Sequence, residues 1–172
     1  MMVEKHTIIV TVTNSPGVLA RISGLLFQRG YNMESVIGAP TENPDIYKII
    51  LVVQESDIHI EQIVKQLNKL IDTIRVVDIS HKDNYIVREY IILKLEVDQK
   101  NRTDLLKLTE HFNAHAIDIA MDHIILELSG NPQKIDRFLE LVNPFGIIEY
   151  VRSGEFAMAE YQKSKIGDKN GD

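Results

Sequence analysis

Every position of the run after His6 in HTIIVTVT, residues 6–13, is β-branched, and the run hands over through Asn14-Ser15-Pro16-Gly17 to a helical stripe. Within residues 16–29, Leu19, Ile22 and Leu26 recur at helical spacing, with Leu25 widening the face. An extended run followed by a 3.6-residue period commits the chain to a strand and then an amphipathic helix. Ser15 before Pro16 predicts a helix cap followed by a proline at the first helical position, and Gly30 predicts the stop. NMESVIGAP and DIYKIILVVQ predict two strands joined by the turn residues Thr41-Glu42-Asn43-Pro44. Residues 57–71 carry Ile60, Ile63, Val64, Leu67, Leu70 and Ile71 as a second helical stripe, and TIRVVDIS at 73–80 predicts a closing strand. The order is β-α-β-β-α-β, the ferredoxin-like plan.

The second half repeats this order about 80 residues later, a structural duplication carried by periodicity. REYIILKLEV (88–97) predicts a strand, and residues 103–115 place Leu105, Leu108, Thr109 and Phe112 on one helical face. AIDIAM and HIILELSG predict two short strands around Asp122. Asn131-Pro132 again pairs a cap with a first-position proline, ahead of Ile135, Phe138, Leu139 and Val142. GIIEYVRSG closes the unit. The fold class is therefore α+β, two tandem βαββαβ units. Residues 1–80 form the first, 81–87 a linker and 88–158 the second; the polar tail 159–172 is expected to fray. Strands 1 and 3 are apolar on both faces, so each sheet needs a cover from another domain or another copy of the chain, and a homo-oligomer is the economical answer.

Composition narrows the chemistry. Among 172 residues there is no cysteine, which removes thiol catalysis, thiolate metal sites and disulfides. The net charge of −6 is spread along the chain, with seven basic against nine acidic residues in 1–80 and twelve against sixteen in the rest. Without a basic stripe, nucleic-acid binding is disfavoured, and so is an anionic membrane surface. No apolar run reaches the length of a membrane span, and the N-terminus lacks a secretory apolar region, so a cytoplasmic protein is the default. No nucleophile elbow or phosphate-cradling glycine motif occurs, and Ser23 lies inside an amphipathic helix. His111 and His115 stand four apart, near Asp118, Asp122 and His123. The pair lacks the glutamate of H-E-x-x-H and straddles a helix end, so it reads as solvated surface histidines.

The Asn14–Leu19 stretch, NSPGVL, has two readings. In one, Asn14 and Ser15 cap the helix, Pro16 starts it and Gly17 tolerates a tight turn. In the other, Gly17 lets a ligand approach the unsatisfied N–H groups of the first turn, where the positive end of the helix favours a carboxylate. Asn14 would then meet the ammonium and carboxylate of a zwitterion, and Val18 and Leu19 would form an apolar wall.

Several segments carry a resemblance. TNSPGVLARISGLLFQRGYNMESVIGAPTENPDIYKIILVV, with N-x-x-G-x-L-x-R-I-x-G-L, F-x-Q-R-G-Y-N-x-E-S and A-P-T-E-N-P inside it, resembles the regulatory small subunits of acetolactate synthase, also called acetohydroxyacid synthase. QLNKLID (66–72), Arg88-Glu89 and VRSG (151–154) extend the likeness. The resemblance implies an ACT domain followed by an ACT-like domain in a non-catalytic subunit. It further implies activation of a large catalytic subunit and feedback inhibition by valine or another branched-chain amino acid. Thiamine diphosphate, Mg²⁺ and FAD would belong to that partner, with no cofactor or metal in this chain. The effector would lie between two ACT domains of a homodimer. Asn14, Ser15, Pro16, Gly17, Val18 and Leu19 would come from one chain, and Asn32 with Met33 from the facing one. The second unit has VDQKNRTDLL at the corresponding place, lacks the Pro-Gly and is assigned no effector site. The alternative is a free-standing ACT-domain sensor acting on another enzyme or on transcription.

Overall fold

A computed structural model describes residues 3–160. The first unit runs β1 (Glu4–Thr13), α1 (Val18–Gln28), β2 (Met33–Pro40), β3 (Ile46–Glu55), α2 (Asp57–Leu67) and β4 (Thr73–Asp78). The second runs β5 (Tyr85–Glu96), α3 (Arg102–Phe112), β6 (His115–Ile119), β7 (His123–Gly130), α4 (Pro132–Val142), a 3₁₀ turn at Asn143–Phe145, β8 (Ile147–Arg152) and β9 (Phe156–Ala159). The sheet orders β2-β3-β1-β4 and β6-β7-β5-β8 are the same order written for two copies of one unit, and every pairing is antiparallel. The duplicated βαββαβ plan read from periodicity is the observed fold.

Alternation explains the cores. Ile8, Val10 and Val12 of β1 and Ile49, Leu51 and Val53 of β3 face the helices, where they meet Ile22, Leu26, Ile60, Ile63 and Leu67. In the second unit Ile91, Leu93 and Leu95 meet Leu105, Phe112, Ile135 and Phe138. Burying each such side chain stabilises by about 1.5–3 kcal/mol.

The opposite face of the first sheet is covered by the same chain. Ile9, Ile37 and Ile50 pack against Ile79, with Tyr85, Val87 and Ala157 alongside. The cover is a ribbon in which Tyr85–Arg88 of β5 pairs with β9, while the rest of β5 pairs with β7 and β8. Of the two covers expected for the apolar strands, another domain or another copy, the first sheet takes the other domain of the same chain. Two expected boundaries shift. Residues 85–87 of the expected linker are strand, because the ribbon needs them. Ala159 of the expected tail pairs with Tyr85, and the remainder of that tail from 161 lies outside the described residues. No sequence signal marked β9, which is too short to show a period.

Helix ends differ as well. α2 ends at Leu67 rather than 71, and α3 ends at Phe112 with Asn113 in the left-handed region at φ 52°. His111 and His115 therefore do not share a helix, since His115 opens β6. Asn131 caps as expected, its side-chain oxygen accepting from the Lys134 N–H at 2.8 Å. Among the described residues no helix is long and apolar enough to cross a membrane.

Candidate functional site

The turn between β1 and α1 is built differently from a Ser-Pro helix start. α1 begins at Val18, and the residue before it, Gly17, sits at φ 80°, ψ 3°. The Val18 N–H reaches back to the Ser15 carbonyl at 3.4 Å. Ser15-Pro16-Gly17-Val18 is thus a type II turn, which favours proline second and requires positive φ third. Ser15 does not cap, and Pro16 is not in the helix. The Ser15 hydroxyl donates instead to Asp72 Oδ1 at 2.8 Å. Among the described residues no side chain caps α1, so the first-turn N–H groups of Leu19 and Ala20 stay available to solvent or a ligand.

Asp72, in the turn before β4, organises this end of the unit. Its carboxylate accepts from Arg21 Nε at 2.7 Å, and its carbonyl accepts from the Thr13 N–H at 2.9 Å. The Ser15 hydroxyl, and with it the Arg21 guanidinium, holds the Asp72 carboxyl below the usual carboxylate range, against a burial effect of opposite sign. A Cβ added at Gly17 would lie 3.3 Å from Arg21 Nη1, so the guanidinium flanks the open turn. Arg21 and Asp72 both fall in motifs that carry the family resemblance, without a site role expected of either. Arg21 stands one turn of helix after Gly17, a spacing that puts a cation beside the turn.

The other expected residues divide. Asn14 is anchored to the next turn, its N–H donating to Asp45 O at 2.8 Å and its side-chain amide to Pro44 O at 2.9 Å. Asn14, Pro16 and Gly17 are exposed, and Leu19 is 45% exposed. Val18, read as part of a ligand wall, has its side chain buried in the core of the unit. Asn32 and Met33 lie beyond the far end of α1, where Gly30 at φ 74° closes the helix. There Gly30 N–H donates to Phe27 O at 3.0 Å and Tyr31 N–H to Leu26 O at 3.1 Å, a Schellman stop. The 11 residues of α1, about 16 Å of helix, separate Gly17 from Asn32 within one chain.

The quoted second-unit motifs meet at the joint between units. Arg152 Nε donates to the buried Glu89 carboxylate at 2.6 Å and Nη1 to Asp136 at 2.6 Å. Gly154, at φ 79°, nests against Ser35 of β2. A cleft of about 350 Å³ opens beside this joint, with Pro40, Ile50, Ile86, Phe156, Lys48 and Arg88 in its walls.

Comparison with known proteins places this geometry in a family. Residues 8–75 match the family described as "AHAS small subunit-like ACT domain", and residues 88–161 match "Small subunit of acetolactate synthase". The "Probable acetolactate synthase small subunit" of Archaeoglobus fulgidus is 39% identical over 92% of this chain and 99% of its own length. The acetolactate synthase small subunit of Bacillus subtilis is 37% identical over 94% of each chain. The solved small subunit from Thermotoga maritima superposes with a TM-score of 0.83 at 28% identity, covering 93% of this chain and 99% of that one.

Proposed function

The chain belongs to the family of acetolactate synthase small subunits, and from that premise we propose that it activates the catalytic large subunit and makes it sensitive to a branched-chain amino acid, valine first. The likeness runs along nearly the whole chain, and that single observation carries the regulatory, non-catalytic reading. Thiamine diphosphate, Mg²⁺ and FAD belong on this reading to the large subunit.

The effector half rests on the turn at Gly17. Exposed N–H groups at a helix N-terminus suit a carboxylate, and exposed Leu19 suits an aliphatic side chain. Gly17 and Asn32 stand at opposite ends of α1. Two copies related by a two-fold axis, with their α1 helices antiparallel, would bring Gly17 of one beside Asn32 of the other. That is the homodimer we propose, with Asn14, Ser15, Pro16, Gly17 and Leu19 facing Asn32 and Met33 across it.

The test is reconstitution. The large subunit is assayed alone, with this chain, and with this chain plus valine, leucine or isoleucine. Activation on mixing and inhibition by one amino acid are expected; an unchanged rate on mixing overturns the regulatory reading. Gly17→Asp and Gly17→Asn both tolerate positive φ, and only the first sets a negative charge against the ligand carboxylate. Gly17→Asp should lose inhibition while keeping activation, and Gly17→Asn should retain more of it. Normal inhibition of the Gly17→Asp complex would overturn the site and leave the regulatory role standing.

A further inference from the structure

His6 closes the polar stretch Glu4-Lys5-His6 ahead of the β-branched run, and the fold buries it to 1% exposure. Among the described residues neither ring nitrogen finds a hydrogen-bond partner. Two hydrogen bonds set the surroundings: the Thr7 carbonyl accepts from the Ile79 N–H at 2.9 Å, and the Thr7 N–H donates to Ser80 Oγ at 2.9 Å. These pin the turn after β4 beside β1 and bring His81 next to His6, ring centroids 5.7 Å apart and nearly perpendicular. Asp57, the first residue of α2, enters from the third side. His6 Nε2 faces Asp57 Oδ1 at 3.6 Å, and His81 Nε2 faces the same oxygen at 3.9 Å. The other nitrogen, His6 Nδ1, faces Asp78 Oδ2 at 3.4 Å, while Asp78 Oδ1 accepts from the Ser80 N–H at 3.0 Å.

We propose that His6, Asp57 and His81 bind a divalent transition-metal ion of the zinc class. The three donor atoms all lie within 4.8 Å of one another. Metal–ligand bonds of about 2.0–2.1 Å in a tetrahedral site put donors about 3.4 Å apart, so the set closes by movement of the exposed Asp57 and His81 side chains, of up to about 1.4 Å between the two imidazoles. Two imidazoles and one carboxylate select zinc-like ions over magnesium or calcium, and they leave a fourth position for water. Asp78 stands where a carboxylate orients a metal-bound histidine: with the ion on Nε2, its Oδ2, 3.4 Å from Nδ1, would accept from Nδ1–H. The charges of Asp57 and Asp78 together balance a divalent cation. A buried imidazole with both nitrogens unpartnered is costly, and an ion satisfies it. The ion would clamp the connector between the two units onto the first. Asp57 and His81 are 79% and 65% exposed, which gives it an entry path.

The test uses the untagged full-length chain, stripped with a chelator and titrated with Zn²⁺ by calorimetry and with Co²⁺ by visible absorption. A single ion per chain, tetrahedral-type Co²⁺ bands and a higher Tm with zinc are expected. His81→Ala and Asp57→Asn change surface side chains, so the fold survives, and each should weaken binding at least about tenfold. His111→Ala and His115→Ala should change nothing. No zinc uptake by the unsubstituted chain, or uptake that survives both His81→Ala and Asp57→Asn, overturns the proposal.

Discussion

The Thr7 hydroxyl donates to the Glu155 carboxylate across 148 positions of sequence, and Lys5 Nζ pairs with the other carboxylate oxygen at 2.7 Å. Glu155 is only 4% exposed, so the second unit inserts an acid into the face of the first, where β1 holds both partners. Glu155→Ala leaves the Thr7 hydroxyl buried without its acceptor, at a cost of about 1–3 kcal/mol. Chemical denaturation of Glu155→Ala, Thr7→Val and the double variant should reveal coupling of about 1 kcal/mol between the two positions. Additive effects would mean that the contact does not join the units.

Gly154 carries two independent constraints. Its φ of 79° disfavours an L side chain, and an added Cβ would lie 2.7 Å from Ser35 Oγ and 2.8 Å from Ser35 Cβ. Gly154→Ala should destabilise by about 1–3 kcal/mol through backbone strain, with crowding added. Ser35→Gly in the same chain should restore part of the loss, since it removes the crowding and leaves the strain. Denaturant midpoints of the parent, Gly154→Ala and the double variant check this.

Breaking the Arg152–Glu89 pair should be asymmetric. Glu89 is 3% exposed, so Arg152→Met strands a buried carboxylate, at a cost of about 3–5 kcal/mol. Arg152 is 25% exposed and keeps Asp136, so Glu89→Gln should cost clearly less. Equal losses in thermal or denaturant unfolding would contradict this account.

Asp72 makes stability depend on acid. Hydrogen bonds from Ser15 and Arg21 lower its folded pKa beneath the ordinary 3.8. A carboxylate depressed in the folded state contributes stability above its unfolded pKa, and loses it as pH falls through the folded value. Asp72→Asn should therefore be less stable than the parent at neutral pH, with the difference shrinking below about pH 4. Parallel stability curves across that range would remove Asp72 as a source of the acid dependence.

Sequence by itself determined the two units and their element order. Strand and helix periods are local, and β1, α1, α2 and α4 each carry an unbroken one. Gly30 and Asn131 were legible for the same reason, since a stop and a cap depend on their immediate neighbours. Family likeness added what periods cannot carry, the expectation of a partner subunit and of an effector between chains. Tertiary structure decided where the chain meets itself. Ser15 looks like a cap locally, yet its hydroxyl belongs to Asp72, 57 positions away. β9 is too short to declare itself and forms only because the N-terminal third of β5 gives it a partner. His6, Asp57 and His81 share no motif, and the β1–β4 pairing with the start of α2 is what brings them together. Long-range pairing writes no period into the sequence, so these contacts became visible only in the folded chain.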